Sequence, residues 1–150
     1  MKVIEYNHKY KQKFIDLNTA WIEDYFDNLE KADIETFNNL EEHIKNGAMI
    51  YFAVEEDNVL ATCMVLPMEH GIWEICKLAA DPNFRGNGAG KAVFKKCMDY
   101  AIENGAKKLF MISNTRLKSA LHIYDKLGFK EIKLGDYGYT RGDIAFEYNV

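Results

Sequence analysis

The chain has 150 residues, 48% of them apolar and 28% charged, with only two prolines; this is the profile of one ordinary globular domain, 1–150, and excludes disordered or collagen-like states. Its net charge of −4 disfavours a nucleic-acid binder that works by neutralising phosphates, and no window approaches the roughly 18 apolar residues a membrane span needs. Cys63, Cys76 and Cys97 form neither a C-x-x-C pair nor an even-numbered disulfide framework, so a reduced, cytoplasmic setting is expected, with monomer and homodimer both open.

In chain order, residues 3–6 suit an edge strand, and Tyr10, Phe14, Leu17 and Trp21 recur at helical spacing, predicting an amphipathic helix over about 8–22. A second helical region is expected over much of 33–46, closed by Gly47 as a C-cap. The apolar runs at 49–54 and 59–66, joined by the polar turn Glu56-Asp57-Asn58, read as a hairpin, and 72–80 adds a third consecutive antiparallel strand before Asp81-Pro82. The period then changes: Val93, Phe94, Cys97, Met98, Ala101 and Ile102 fall on one face of a helix closed by Gly105. A buried strand at 109–112, a helix marked by Leu117, Ala120, Leu121 and Tyr124 with Gly128 as its cap, and a final strand at 144–148 complete the pattern. The middle section is therefore βαβα, a parallel crossover unit, so an α/β (mixed α+β) fold is expected.

Charge is distributed unevenly along this order. Residues 22–47 carry eight carboxylates against Lys31 and Lys45, whereas residues 107–133 carry seven cations against Asp125 and Glu131. The arrangement suggests a cationic substrate and an anionic cofactor; two ordinary solvated faces would give the same counts.

The most informative stretch is Arg85-Gly86-Asn87-Gly88-Ala89-Gly90-Lys91, three glycines at the start of a predicted helix. Glycines let backbone N–H groups approach a ligand, and a helix N-terminus adds unpaired donors and partial positive charge, so the loop suits a phosphate or diphosphate. A Walker A reading would need glycine at 85 and Ser/Thr at 92, where Arg85 and Ala92 stand; a dinucleotide G-x-G-x-x-G from Gly86 would need glycine at 91, where Lys91 stands. A turn with no ligand is the bland alternative.

The spacing Arg85-x-x-Gly88-x-Gly90, preceded by the strand containing Glu74 to Ala79, resembles the acetyl-coenzyme A signature of the GNAT superfamily of N-acetyltransferases, and Tyr124 ahead of Leu127-Gly128-Phe129 is similar to the family's later helix. The resemblance implies a GNAT-like fold, a mixed, splayed central sheet of about six to seven strands flanked by helices. It implies acetyl-CoA as co-substrate, its diphosphate on backbone N–H groups from Gly86 to Lys91, including Asn87 and Ala89, and its pantetheine along Leu78 and Ala79. Many relatives carry an asparagine near the position of Leu117; here Asn114 stands three residues earlier, as a stand-in polar contact or simply a helix N-cap.

The implied reaction moves an acetyl group from the thioester to a primary amine by direct attack in a ternary complex. A lysine-like amine, pKa ~10.4, is mostly protonated at neutral pH and needs a base. Glu74, eleven residues before Arg85, resembles the catalytic glutamate of the protein-lysine branch, and is otherwise an outward-facing strand carboxylate. Tyr124 holds the family position of the acid for the departing thiolate, although periodicity alone makes it a core ring. A backbone N–H of Leu78 or Ala79 would meet the carbonyl oxygen. His70 and His122 rank below Glu74 as bases, and no ligand spacing supports a metal. A non-catalytic acyl-CoA-binding module is the rival from another class.

Overall fold

The computed structural model describes residues 1–84, 86–134 and 141–150. Seven strands form one sheet: β1 (Lys2–Glu5), β2 (Met49–Glu55), β3 (Asn58–Pro67), β4 (Ile72–Ala80), β5 (Lys108–Ser113), β6 (Lys130–Ile132) and β7 (Ile144–Asn149), in the order β1-β2-β3-β4-β5-β7-β6. Each neighbouring pair is antiparallel except β4–β5, which is parallel because the chain crosses over through α4 (Ala89–Glu103) between them. The mixed, helix-flanked sheet expected from the sequence is thus present.

The sheet is covered on both faces, which is why β3 is apolar without alternation and buried from Val59 to Val65. On one face α4 lays Val93, Phe94, Cys97 and Ala101 against Cys63, Val65, Ile75 and Leu109, joined by Tyr124 from α5 (Lys118–Lys126). On the other, Phe14 of α1 (Lys11–Phe26), Phe37 of α2 (Lys31–Asn38) and Leu40 of α3 (Leu40–Lys45) pack on Ile50, Phe52 and Met64. Burying a side chain of this size stabilises by about 1.5–3 kcal/mol before entropy is counted.

Three boundaries differ from the sequence reading. The first helix runs on to Phe26, so the aromatic residues Tyr25 and Phe26 belong to it. The region 33–46 is two helices broken at Asn39, whose φ of −125° is not helical. β6 was not expected: its three residues, Lys-Glu-Ile, lie on the sheet edge with two exposed side chains and present no apolar run to detect.

The feature that matters for function is a fault in the sheet. β4 and β5 pair only over Ile72–Glu74 and Lys108–Phe110; beyond that β5 keeps its bonds to β7 as far as Ser113 while β4 turns away. The turn is made by a bulge, since Met64 opposes Cys76 and Thr62 opposes Ala79, leaving Cys63 alone opposite both Lys77 and Leu78. Lys77 occupies the left-handed region at φ 56°, the local cost of re-aiming the strand.

Candidate active site

The parted strands flank a cleft whose walls bring together residues distant in sequence. Glu74 to Leu78 form one side, and Ile112, Ser113 and Asn114 the other. Tyr124 and Phe94 form the floor, while Trp21 and Phe26 reach over from the end of α1. Arg141 and Gly142, entering β7, complete the wall. Glycine is required at 142, because a Cβ there would collide with the Ile112 side chain.

Glu74 and Tyr124, named from sequence, therefore line one cavity. Burial raises the Glu74 carboxyl above the usual carboxylate range, and the positive charge of Lys77 pulls the other way. Burial likewise drives the Tyr124 phenol well above its ordinary value, opposed by the neighbouring Ser113 hydroxyl. That hydroxyl is buried and has no hydrogen-bond partner among the described residues. The Tyr124 ring packs on Phe94 and Phe146 at centroid distances of 5.2 and 5.4 Å. Cys76 also lines the cleft, but burial raises its thiol well above the normal value, so it is not a thiolate nucleophile.

A second cavity continues from Leu78 and Ala79 to Gly90 and is lined on its far side by Arg116, Lys118 and Ile123. The loop before α4 bends through Gly86 and Gly88 at φ 80° and 76°, and nothing lies within 4 Å of the place a Cβ would take at either. Asn87 Oδ1 accepts the Ala89 N–H at 3.0 Å; the next two, of Gly90 and Lys91, have no intrahelical acceptor, as in any first turn. An open cradle of backbone donors beside two cations fits an anionic diphosphate. Arg116 donates to the Tyr25 carbonyl at 2.6 Å and lies 5.2 Å from the Phe26 ring, tying the end of α1 across this cavity.

Other residues named from sequence fall differently. The amide of Asn114 is engaged at both ends, donating to the Arg141 carbonyl at 2.6 Å and accepting the Arg116 N–H at 2.8 Å, so it braces the turn into α5. His70 and His122 are exposed and absent from both cavities. Arg85 lies outside the described residues. Among the described residues no group of three or more His, Cys, Asp or Glu could hold a metal ion. Sequence reasoning missed Trp21, Phe26, Lys77 and Arg141. For Trp21 and Tyr25 the i, i+4 spacing was a usable signal; for Lys77 and Arg141 there was none, because a bulge and a contact over 108 residues carry no local pattern.

The model of the acetyltransferase (GNAT) family matches residues 14–129. The chain belongs to that family. A GNAT-family acetyltransferase crystal structure from Staphylococcus aureus Mu50 superposes with a TM-score of 0.89 at 21% identity over 99% of this chain and 98% of that one. A Salmonella typhimurium acetyltransferase solved with its cofactor acetyl-CoA gives 0.80 at 12% identity, over 99% and 93%. Among curated proteins, an uncharacterized N-acetyltransferase of Methanocaldococcus jannaschii is 30% identical over 119 residues, which is 79% of this chain and 50% of that protein. This GNAT chain thus spans about half the length of that curated relative.

Proposed function

We propose that this chain is an acetyl-CoA-dependent N-acetyltransferase that passes an acetyl group to a primary amine by direct attack in a ternary complex. The observation that carries the reading is the continuity of the two cavities: both are lined by Leu78, from which one runs to Gly90 at the start of α4 and the other to Glu74 and Tyr124. The acetyl-CoA held by the Salmonella typhimurium acetyltransferase supports the same cofactor here.

Gly86 to Lys91 would hold the diphosphate on main-chain N–H groups, with Lys91 and Arg85 adding charge. The β4 edge left unpaired beyond Glu74 would receive the pantetheine amides, and the N–H groups at Leu78 and Ala79 the acetyl carbonyl oxygen. When bound, acetyl-CoA supplies an acyl group activated as a thioester. Glu74, its basicity raised by burial, takes a proton from the incoming ammonium directly or through water. Tyr124, protonated at every physiological pH, donates to the departing sulfur. The acceptor is a cationic amine, drawn by Glu23, Asp24 and Asp27 around the end of α1. Free thiols at Cys63, Cys76 and Cys97 suit a reducing, cytoplasmic setting.

Thiol release from acetyl-CoA across a panel of amines tests the proposal. Amine-dependent release is expected, with at least one polyamine or lysine-like acceptor turning over. Tight acetyl-CoA binding by calorimetry with no release for any amine would instead favour a non-catalytic acyl-CoA-binding module.

A further inference from the structure

Behind the cleft wall lies a set of charges that the transfer itself does not use. Asp33, in the first turn of α2, is 0% exposed. One of its oxygens accepts from Lys77 Nζ at 2.6 Å and from Arg141 Nη2 at 2.6 Å; the other accepts from Arg141 Nη1 at 2.6 Å and from the Glu30 N–H at 2.8 Å. Glu30 adds a second carboxylate to Arg141 Nη1 at 2.9 Å, so among the described residues two cations meet two anions. Lys77 and Arg141 line the cleft, whereas Asp33 and Glu30 do not.

Net stability is a poor account of such a cluster, because the cost of desolvating buried ions offsets much of their attraction. Its geometry is more telling. Lys77 is the bulge residue of β4, a lysine held at φ 56° in a region such residues enter only when the surroundings over-determine them. Arg141 is on the opposite wall, its Nη1 and Nη2 both held by the Asp33 carboxylate in the bidentate manner that fixes direction as well as distance. Both walls of the cleft are therefore referred to a single side chain.

We infer that Asp33 is a positioning residue for acetyl transfer: through Lys77 it fixes the bulge that aims Leu78 and Glu74, and through Arg141 it fixes the facing wall, so the gap between acyl group and amine is set from α2. This rests on the acetyltransferase reading. A misplacement of about 1 Å in such a gap is enough to cost on the order of 10²-fold in rate.

The test is Asp33→Asn, which keeps the shape and removes the charge, assayed at a temperature where its near-ultraviolet circular dichroism matches the parent's. Expected are a kcat lower by roughly 10²-fold with acetyl-CoA Kd within about threefold of the parent, since Gly90, where the loop meets the second cavity, lines a different wall from Lys77 and Arg141. Lys77→Met should reproduce the loss, Lys77→Arg should recover part of it, and Asp33→Asn with Lys77→Met should be no worse than the poorer single variant, as for groups acting as a unit. If Asp33→Asn does not fold, Lys77→Met and Lys77→Arg carry the test alone. Parental kcat in folded Asp33→Asn or Lys77→Met, whatever the melting temperature, overturns the positioning role. Failure of the parent chain to release thiol with any amine overturns the acetyltransferase reading instead, and the two failures are distinct.

Discussion

Tyr124 reconciles two readings that looked like rivals in the sequence. Its ring is core, 6% exposed and packed among Phe94, Phe129 and Phe146, while the residue also lines the cleft beside Ser113. The packing resides in the ring and the proposed proton donation in the hydroxyl, so Tyr124→Phe would remove the second without the first. That variant should melt within about 2 °C of the parent and bind acetyl-CoA as tightly, with kcat lower by ~10²-fold; full single-turnover activity would remove the phenol from the mechanism. Ser113→Ala should lower kcat by a smaller factor, since the hydroxyl acts only on the phenol. The proposed base, Glu74, predicts a pH dependence. Its folded-state pKa is raised by burial, and the base must be ionised, so kcat/KM should fall as pH drops through a value above the usual carboxylate range. Glu74→Gln should be slow and lack that limb, whereas a variant retaining it would assign the limb to another group.

At the scale of elements, the charges on α2 have a consequence for stability as well as for rate. Burial acts to raise the Asp33 carboxyl, but the Arg141 hydrogen bonds and the charge and hydrogen bond of Lys77 outweigh it, holding the pKa at about 2 against an ordinary 3.8. A depressed folded-state pKa means stability that is present above the unfolded value and lost as pH falls through the folded one. The melting temperature of the parent should thus exceed that of Asp33→Asn by a constant margin above pH 4, and the margin should shrink between pH 4 and pH 2. A margin independent of pH would deny the carboxylate its charge. This is also the element the sequence disclosed least. Strands and helices were legible because their signals are local: the apolar runs on either side of the polar turn at 56–58, the paired apolar residues from Val93 to Ile102, and glycine shortly after α3, α4 and α5. So was the pairing of Glu74 with Tyr124, through motifs. The Asp33 cluster depends on contacts across 44 and 108 residues, and no window along the chain contains both partners.

For the molecule as a whole, the parting of β4 and β5 leaves a central parallel pair held over only three residues of each strand. Backbone donors and acceptors on the facing edges beyond Glu74 go without strand partners, a shortfall that a bound chain of amides would make good. Cofactor binding should consequently stabilise the entire fold, because a ligand that binds only the native state adds RT ln(1 + [L]/Kd), about 2.7 kcal/mol at a hundredfold excess over Kd. For a chain of this length that corresponds to a rise of roughly 5–10 °C in melting temperature. Acetyl-CoA and CoA should both produce the rise, since the diphosphate and pantetheine are common to them, and ATP should produce little. Gly88 supplies the control. At φ 76° with open space around it, Gly88→Val strains the turn and sets a branched side chain where the diphosphate must approach. The variant should fold, melt slightly below the parent, and lose most of the acetyl-CoA shift. An undiminished shift in folded Gly88→Val would mean that the cofactor's phosphates are held elsewhere, and the cradle before α4 would be a turn and nothing more.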